Sequence, residues 1–285
     1  MTTTLETPAP PAPDRVRSPG ARALAWTGGI VGAVLVLGGA WSVVGWLQWA
    51  SGATTTSTAT SSYAAEPVVR LVADGDVALT RGEPGQVVVK RTAQELGHRA
   101  AYSVERAGGT LVIRHTCDWW SPGGHCSASL DARVPQGTHV VVESTDGDVR
   151  AIGFAGDLTV ELSDGNAKLN LVEGAVRLAV TDGYAEIARV EGSVHATARD
   201  GALTVADVSG DVTTSGVDAD TTISGVGGNV VANGRDGDVT VFGDDEPVAL
   251  SLEVADGRRR VDGPTDPAAS RSVRIEVRDG NGSYL

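Results

Sequence analysis

Six segments starting at Asp146, Asp164, Asp182, Asp200, Asp218 and Asp236 align without a gap, eighteen residues apart. Position 2 is Gly147, Gly165, Gly183, Gly201 and Gly237, with Ala219 the one exception. Position 11 is Gly from Gly156 to Gly228, and positions 4, 6, 9, 13 and 15 are mostly aliphatic. A fixed short period demands a repeat architecture before any other fold is weighed. Two Gly corners and period-two apolar positions predict one coil of a parallel β-solenoid, stacked on the next at about 4.8 Å. The parity break between positions 6 and 9 implies a bend there. Two-sheet and three-sheet cross-sections both fit.

The repeat weakens at both ends. Short alternating runs such as VVRLV, QVVVKR and TLVIRH precede it, and DDEP at 244–247 lengthens the spacing after it. Such runs read as strands. Only TAQELGHRAA, residues 92–101, suggests a helical turn. The fold class expected is therefore all-β: a parallel β-solenoid with irregular β end pieces, preceded by one transmembrane α-helix. Its parts are an N-terminal β segment and cap over 65–145, regular repeats over 146–243, and C-terminal repeats and cap over 244–285. Aromatic residues make up 4% of the chain, with two Phe, so Val, Leu, Ile and Ala must fill the interior. RSVRIEV, residues 271–277, is expected as an open edge, which would permit self-association.

Residues 1–20 are Pro-rich and polar, a composition that cannot bury a core, and are expected as a disordered cytoplasmic tail. Residues 23–50 contain no charged side chain. A bilayer core needs about 20 apolar residues in a helix, so the segment 21–50 is expected as an anchor. Trp26 stands near one end and Trp41, Trp46 and Trp49 near the other, as at the two headgroup regions. A cleaved signal peptide would have a shorter apolar run. Arg15, Arg17 and Arg22 precede the segment, and the next basic residue is Arg70. The positive-inside rule puts the N-terminus in the cytoplasm and the remainder outside the plasma membrane. Residues 51–64, rich in Ser and Thr, are expected as a flexible linker.

The net charge is −13. An acidic domain lacks the basic patch that displaces counterions from nucleic acid, so no nucleic-acid partner is expected. Two readings of the Asp-Gly ladder compete. Stacked carboxylates could hold Ca²⁺, although the Gly-Gly-x-Gly run of known calcium repeats is missing. Asp before Gly also makes a turn, with Gly supplying positive φ. The structural turn is the expectation, with no metal and no cofactor.

HTCDWWSPGGHC, residues 115–126, holds the only two cysteines. Cys117, Cys126, His115 and His125 could bind zinc. Oxidising surroundings favour a disulfide instead. Trp119 and Trp120 lie between the cysteines, either as a cap on the stack or as a contact for an envelope protein, a glycan or a membrane surface. Catalytic motifs are missing: His98, His139 and His195 have no Ser or Cys at motif spacing, and Lys90 and Lys168 are the only lysines. His195, at position 14 of its repeat, should face out.

An anchor followed by VPQGTHVVVESTDGDV (134–149) and Asp-Gly strand repeats resembles a bacterial β-strand-repeat family labelled "putative adhesin". The resemblance covers about residues 65–285. It implies an envelope-facing, noncatalytic domain acting as an adhesin-like or envelope-associated interaction module. A self-assembling scaffold is the alternative, and a glycan-active β-helix enzyme is a third.

Overall fold

A computed structural model of the chain describes residues 54–118 and 125–285. The expected cytoplasmic tail and the expected membrane helix over 21–50, together with Trp119 and Trp120, lie outside the described residues. The described chain is all-β, one curled sheet of twenty strands. Among the described residues no helix is long and apolar enough to cross a membrane.

The repeats pair in parallel at their own period. Strand β8 (His139–Asp146) joins β10 (Leu158–Asp164), which joins the first half of β12 (Val176–Val190), with Val140, Leu158 and Val176 in register. Strand β9 (Val149–Phe154) joins β11 (Ala167–Val172), which joins the second half of β12. The long strands β13 (Val194–Val208) and β14 (Val212–Val226) continue both ladders. In β12 to β14 pairing runs on through the Asp-Gly corner, where Gly183 pairs with Gly201 and Gly201 with Ala219. The sheet curls there because the backbone bends without leaving its ladder. Positions 4, 6, 9, 13 and 15 point inward: Val149, Ala151, Phe154, Leu158 and Val160 are all buried, and one apolar cluster runs through the repeats.

The bend after position 6 has a single cause. Position 8 is left-handed in five successive repeats: Gly153, Leu171, Arg189, Asp207 and Gly225 have φ between 54° and 65°. That conformation costs an L-residue about 1–2 kcal/mol. Leu171 adopts it although its side chain is half exposed. Leu171→Gly should therefore raise stability by up to about 1 kcal/mol, after the extra entropy of Gly in the unfolded chain. Urea denaturation reads this, and a lower midpoint would mean that the Leu171 side chain contributes more than the strain costs.

The Asp-Gly corner has two limiting forms and one intermediate, and they follow the size of the residue two before the Asp. After Leu162 and Val180 the glycine carries the positive φ, at 128° in Gly165 and 134° in Gly183. After Gly216 and Gly234 the aspartate carries it, at 52° in Asp218 and 55° in Asp236. After Ala198 both do, with Asp200 at 54° and Gly201 at 153°. A large side chain two before the Asp fills the corner from inside. When that residue is Gly, the corner turns inward and Ala219 is buried at 2% exposure. Asp tolerates the left-handed region better than most residues, so Asp218 manages without Gly.

Both ends are built out of sequence order. The pair β2 (Val68–Ala73) and β3 (Val77–Arg81) lies beside β8 and β9. Strands β6 (Thr110–Cys117) and β7 (His125–Val134) then cover β2 and β3 from the other side. At the far end β19 (Ser272–Asp279) and β20 (Gly282–Tyr284) insert between earlier and later strands. β19 lies between β15 (Val230–Arg235) and β17 (Ala249–Asp256). β20 lies between β16 (Val239–Phe242) and β18 (Arg259–Val261). The expected open edge at RSVRIEV is thus corrected: it is paired on both sides, and β17 is the outer strand.

Two further expectations are corrected. From Thr55 to Ala64 the Ser/Thr-rich stretch is not a linker but strand β1, antiparallel to β4 (Gln86–Leu96). Thr is β-branched and suits a strand once a partner edge exists. Residues 92–101 hold no helical turn. β4 runs to Leu96, Gly97 turns at φ 76°, and β5 (Ala100–Ala107) begins antiparallel to β6.

Candidate functional site

The residues singled out from sequence fall in two places. The six position-1 carboxylates, Asp146 to Asp236, are exposed along the corner. The inter-repeat hydrogen bonds come from their neighbours at position 3. Asp148 accepts from the Asn166 backbone N–H at 3.0 Å and from its side-chain amide at 3.0 Å. Asp220 accepts from the Asp238 N–H at 2.9 Å, and Asp238 from the Asn281 N–H at 2.7 Å. Position 12 repeats the device: Asp157 accepts from the Ala175 N–H and Asp211 from the Asn229 N–H. These carboxylates satisfy backbone donors at corners where the strand ladder is interrupted. Among the described residues no three His, Cys, Asp or Glu side chains gather as a metal site. His195 is exposed, and His139 approaches the Thr159 hydroxyl at 3.2 Å.

The second place is the N-terminal cap. Cys117, at the end of β6, is disulfide-bonded to Cys126 in β7, with Cα atoms 5.9 Å apart. Asp74 accepts from the Cys117 N–H at 2.9 Å, and the His98 ring contacts the Asp118 carbonyl. His125 is exposed, and the disulfide occupies both thiolates that zinc would need. Against this base packs an aromatic group not anticipated from sequence. The Tyr63 and Tyr102 hydroxyls lie 2.7 Å apart, Tyr102 meets His115 edge-on at 5.9 Å, and the Arg91 guanidinium lies 4.1 Å from the Tyr102 ring centre. Burial, then the Tyr63 hydrogen bond, raises the Tyr102 hydroxyl above its ordinary range. No sequence signal joins Tyr63, Tyr102 and His115, because the antiparallel additions β1 and β5 bring them together.

Two predictions arise at the cap. Reducing the disulfide releases a loop of about ten residues from its constraint on the unfolded chain, worth about 2–3 kcal/mol on the loop-entropy account. Thermal melts with and without reductant check this, and identical melts would remove the bridge from the stability of the cap. His115 is 2% exposed, and burial lowers its pKa, while its bond to the Ser129 carbonyl works the other way. Arg91 also lowers it, whereas Glu95 and Asp74 raise it. The unfolded imidazole, at about 6.5, takes a proton first, so the unfolded state binds more protons as pH falls. Stability should therefore drop as pH falls through about 6.5, and His115→Gln should flatten the curve. A pH series of denaturation midpoints tests it; equal slopes in both proteins would clear His115.

Compared with known proteins, the chain matches no family model and no curated relative. Solved bacterial structures to which it is similar at low identity include the following. One is named a "putative lipid binding protein" from Parabacteroides distasonis ATCC 8503, at 12% identity and TM-score 0.46, covering 81% of this chain and 97% of that one. A "putative adhesin" from Bacteroides fragilis NCTC 9343 has 11% identity and TM-score 0.44, covering 80% and 97%. A "putative adhesin" from Parabacteroides distasonis ATCC 8503 has 16% identity and TM-score 0.38, covering 82% and 98%.

Proposed function

We propose that the chain is a parallel β-solenoid displayed outside the cell on one N-terminal membrane helix, acting as a noncatalytic, adhesin-like interaction module. The parallel ladders at eighteen-residue register around one apolar interior support the solenoid. The uncharged run 23–50, with arginines before it, supports the anchor and the cytoplasmic N-terminus. The observation that carries the interaction reading is the bridged loop. A disulfide ties β6 to β7 in the N-terminal part of the sheet, Asp74 holds the Cys117 backbone, and the sequence puts Trp119 and Trp120 between the two cysteines. A covalent bridge restricts the segment that carries the two Trp residues, which lowers the ordering cost of a contact made through them.

Pulldown from envelope fractions with the full chain and with a Trp119→Ala/Trp120→Ala variant tests the loop. Loss of the captured protein or glycan in the variant is expected, and equal capture would overturn the loop as the contact. Protease treatment of intact cells tests display: cleavage within 54–285 is expected, and complete protection would refute it.

The scaffold alternative retains one observation. Among the described residues β17 pairs with β19 on one side only, and past Val248, which bridges Thr265, its other edge is open to a further strand. Sedimentation of the detergent-solubilised chain over a concentration series separates the readings, since growth of the particle with concentration favours assembly.

A further inference from the structure

The corner that turns inward leaves a groove on the outside. At Gly216 and Gly234 no side chain holds the wall away from the interior. A Cβ on Gly234 would lie 2.7 Å from Val239 Cγ2 across the core, and one on Gly216 would lie 3.0 Å from the Ala219 carbonyl oxygen. The outer surface is dented where these strands are drawn in, and the dent has a volume of about 530 Å³. That is within the roughly 300–1,000 Å³ of small-molecule sites.

The rim carries two kinds of group. Arg235, Arg259 and Arg278 line it. Arg235 and Arg278 follow the paired residues Gly234 and Val277, so their guanidinium groups project from adjacent strands. Among the described residues none of the three has an ion-pair partner, whereas Arg260, Arg271 and Arg274 each pair with a carboxylate. Glu253 and Glu276 also line the groove, facing each other in register on β17 and β19. Glu276 is bonded to Arg274, and among the described residues Glu253 has no cationic partner. Val217 is the half-exposed apolar side chain among them, whereas Val277 is buried in the core and Val254 packs against it.

We propose that this groove binds an acidic saccharide, a sugar unit carrying a carboxylate. Guanidinium groups receive a planar carboxylate bidentately. Carboxylates beside them accept hydrogen bonds from ring hydroxyls, a role that a simple anion does not fill. Val217, half-exposed beside Arg235, meets the C–H face of the ring. The surrounding protein decides the charge density of the ligand. Its net charge of −13 repels a dense polyanion, while charges beyond about 8 Å are screened at physiological salt, so an acid group flanked by neutral hydroxyls is favoured. The inference rests on reading the domain as a binding module and names a ligand class for a surface remote in sequence from the bridged loop.

The test is calorimetric titration of the full chain in detergent with oligomers of galacturonate, glucuronate and mannuronate, with their methyl esters, and with inorganic phosphate. At least one oligouronate should bind, and its ester and phosphate should not. Arg235→Gln and Arg278→Gln should each weaken binding roughly tenfold or more. Glu253→Gln should weaken it too, and Arg150→Gln, on the other strand run, should leave it unchanged. The proposal fails if no oligouronate binds, if ester or phosphate binds equally well, or if Glu253→Gln strengthens binding, which would mark a plain anion site. Failure here with the Trp-dependent pulldown intact removes the groove ligand and leaves the interaction module standing; loss of the pulldown alone does the reverse.

Discussion

Tyr284→Ala should unfold the C-terminal end of the stack and lower overall stability by about 3–5 kcal/mol, the range for truncating a large buried aromatic. Tyr284 is the penultimate residue, yet it has no exposed surface, and it is the largest fully buried side chain in the described chain. The ring sits where a Cβ on Gly263 would come within 2.5 Å of it, and a Cβ on Gly243 would overlap its hydroxyl. Two glycines thus make the space it fills. Its strand, β20, pairs with β16 on one side and β18 on the other, so the ring packs beneath the last strands. The hydroxyl is buried without a hydrogen-bond partner, and burial raises its pKa. An unpaired buried hydroxyl costs about 1–3 kcal/mol. Tyr284→Phe should therefore be neutral or stabilising, while Tyr284→Ala is severely destabilising. Urea denaturation of the two variants separates packing from hydrogen bonding. Equal destabilisation by both would mean that the hydroxyl has a partner and would overturn this account.

The period was legible because stacking places identical demands on identical positions. Position 13 meets position 13 of its neighbours, so Leu158, Val176, Val194, Val212 and Val230 report one another. Glycine at position 11 was legible for the same reason: a Cβ on Gly192 would lie 2.6 Å from the Gly174 backbone. The corner at position 8 was legible only as a parity break, because Gly, Leu, Arg and Asp all occupy it and share no chemistry. The Asp ladder drew attention to position 1, yet the working acceptors sit at positions 3 and 12. There Asp alternates with Asn, Tyr, Ala and Ser, so composition hides the role. The ends were least legible. β2 and β19 each sit inside a neighbour that is distant in sequence, and no local pattern encodes an insertion order. The aromatic group at the cap depends on that order, so it stayed hidden as well.

Gly183→Ala is the sharpest test of the corner. A Cβ at 183 would overlap the carbonyl oxygen of Gly165 in the preceding repeat, and φ there is 134°. The strained dihedral and the overlap each cost about 1–3 kcal/mol, so the variant should lose roughly 2–6 kcal/mol. Ala219 holds the equivalent position in the other form of the corner, with Asp218 left-handed and the methyl buried. Gly183→Ala cannot follow it while Val180 is present, since Val180 is buried at the place that Gly216 leaves empty in the other repeat. The double variant Val180→Gly/Gly183→Ala should thus be more stable than the sum of its two single changes requires. Val180→Gly alone costs stability by losing a buried side chain, and Gly183→Ala alone by strain, but together they permit the aspartate-borne corner at Asp182. A coupling of about 1 kcal/mol or more between neighbouring positions is within the measured range for residues sharing one cavity. Strict additivity in a double-mutant cycle would show that the residue two before the aspartate does not choose the corner.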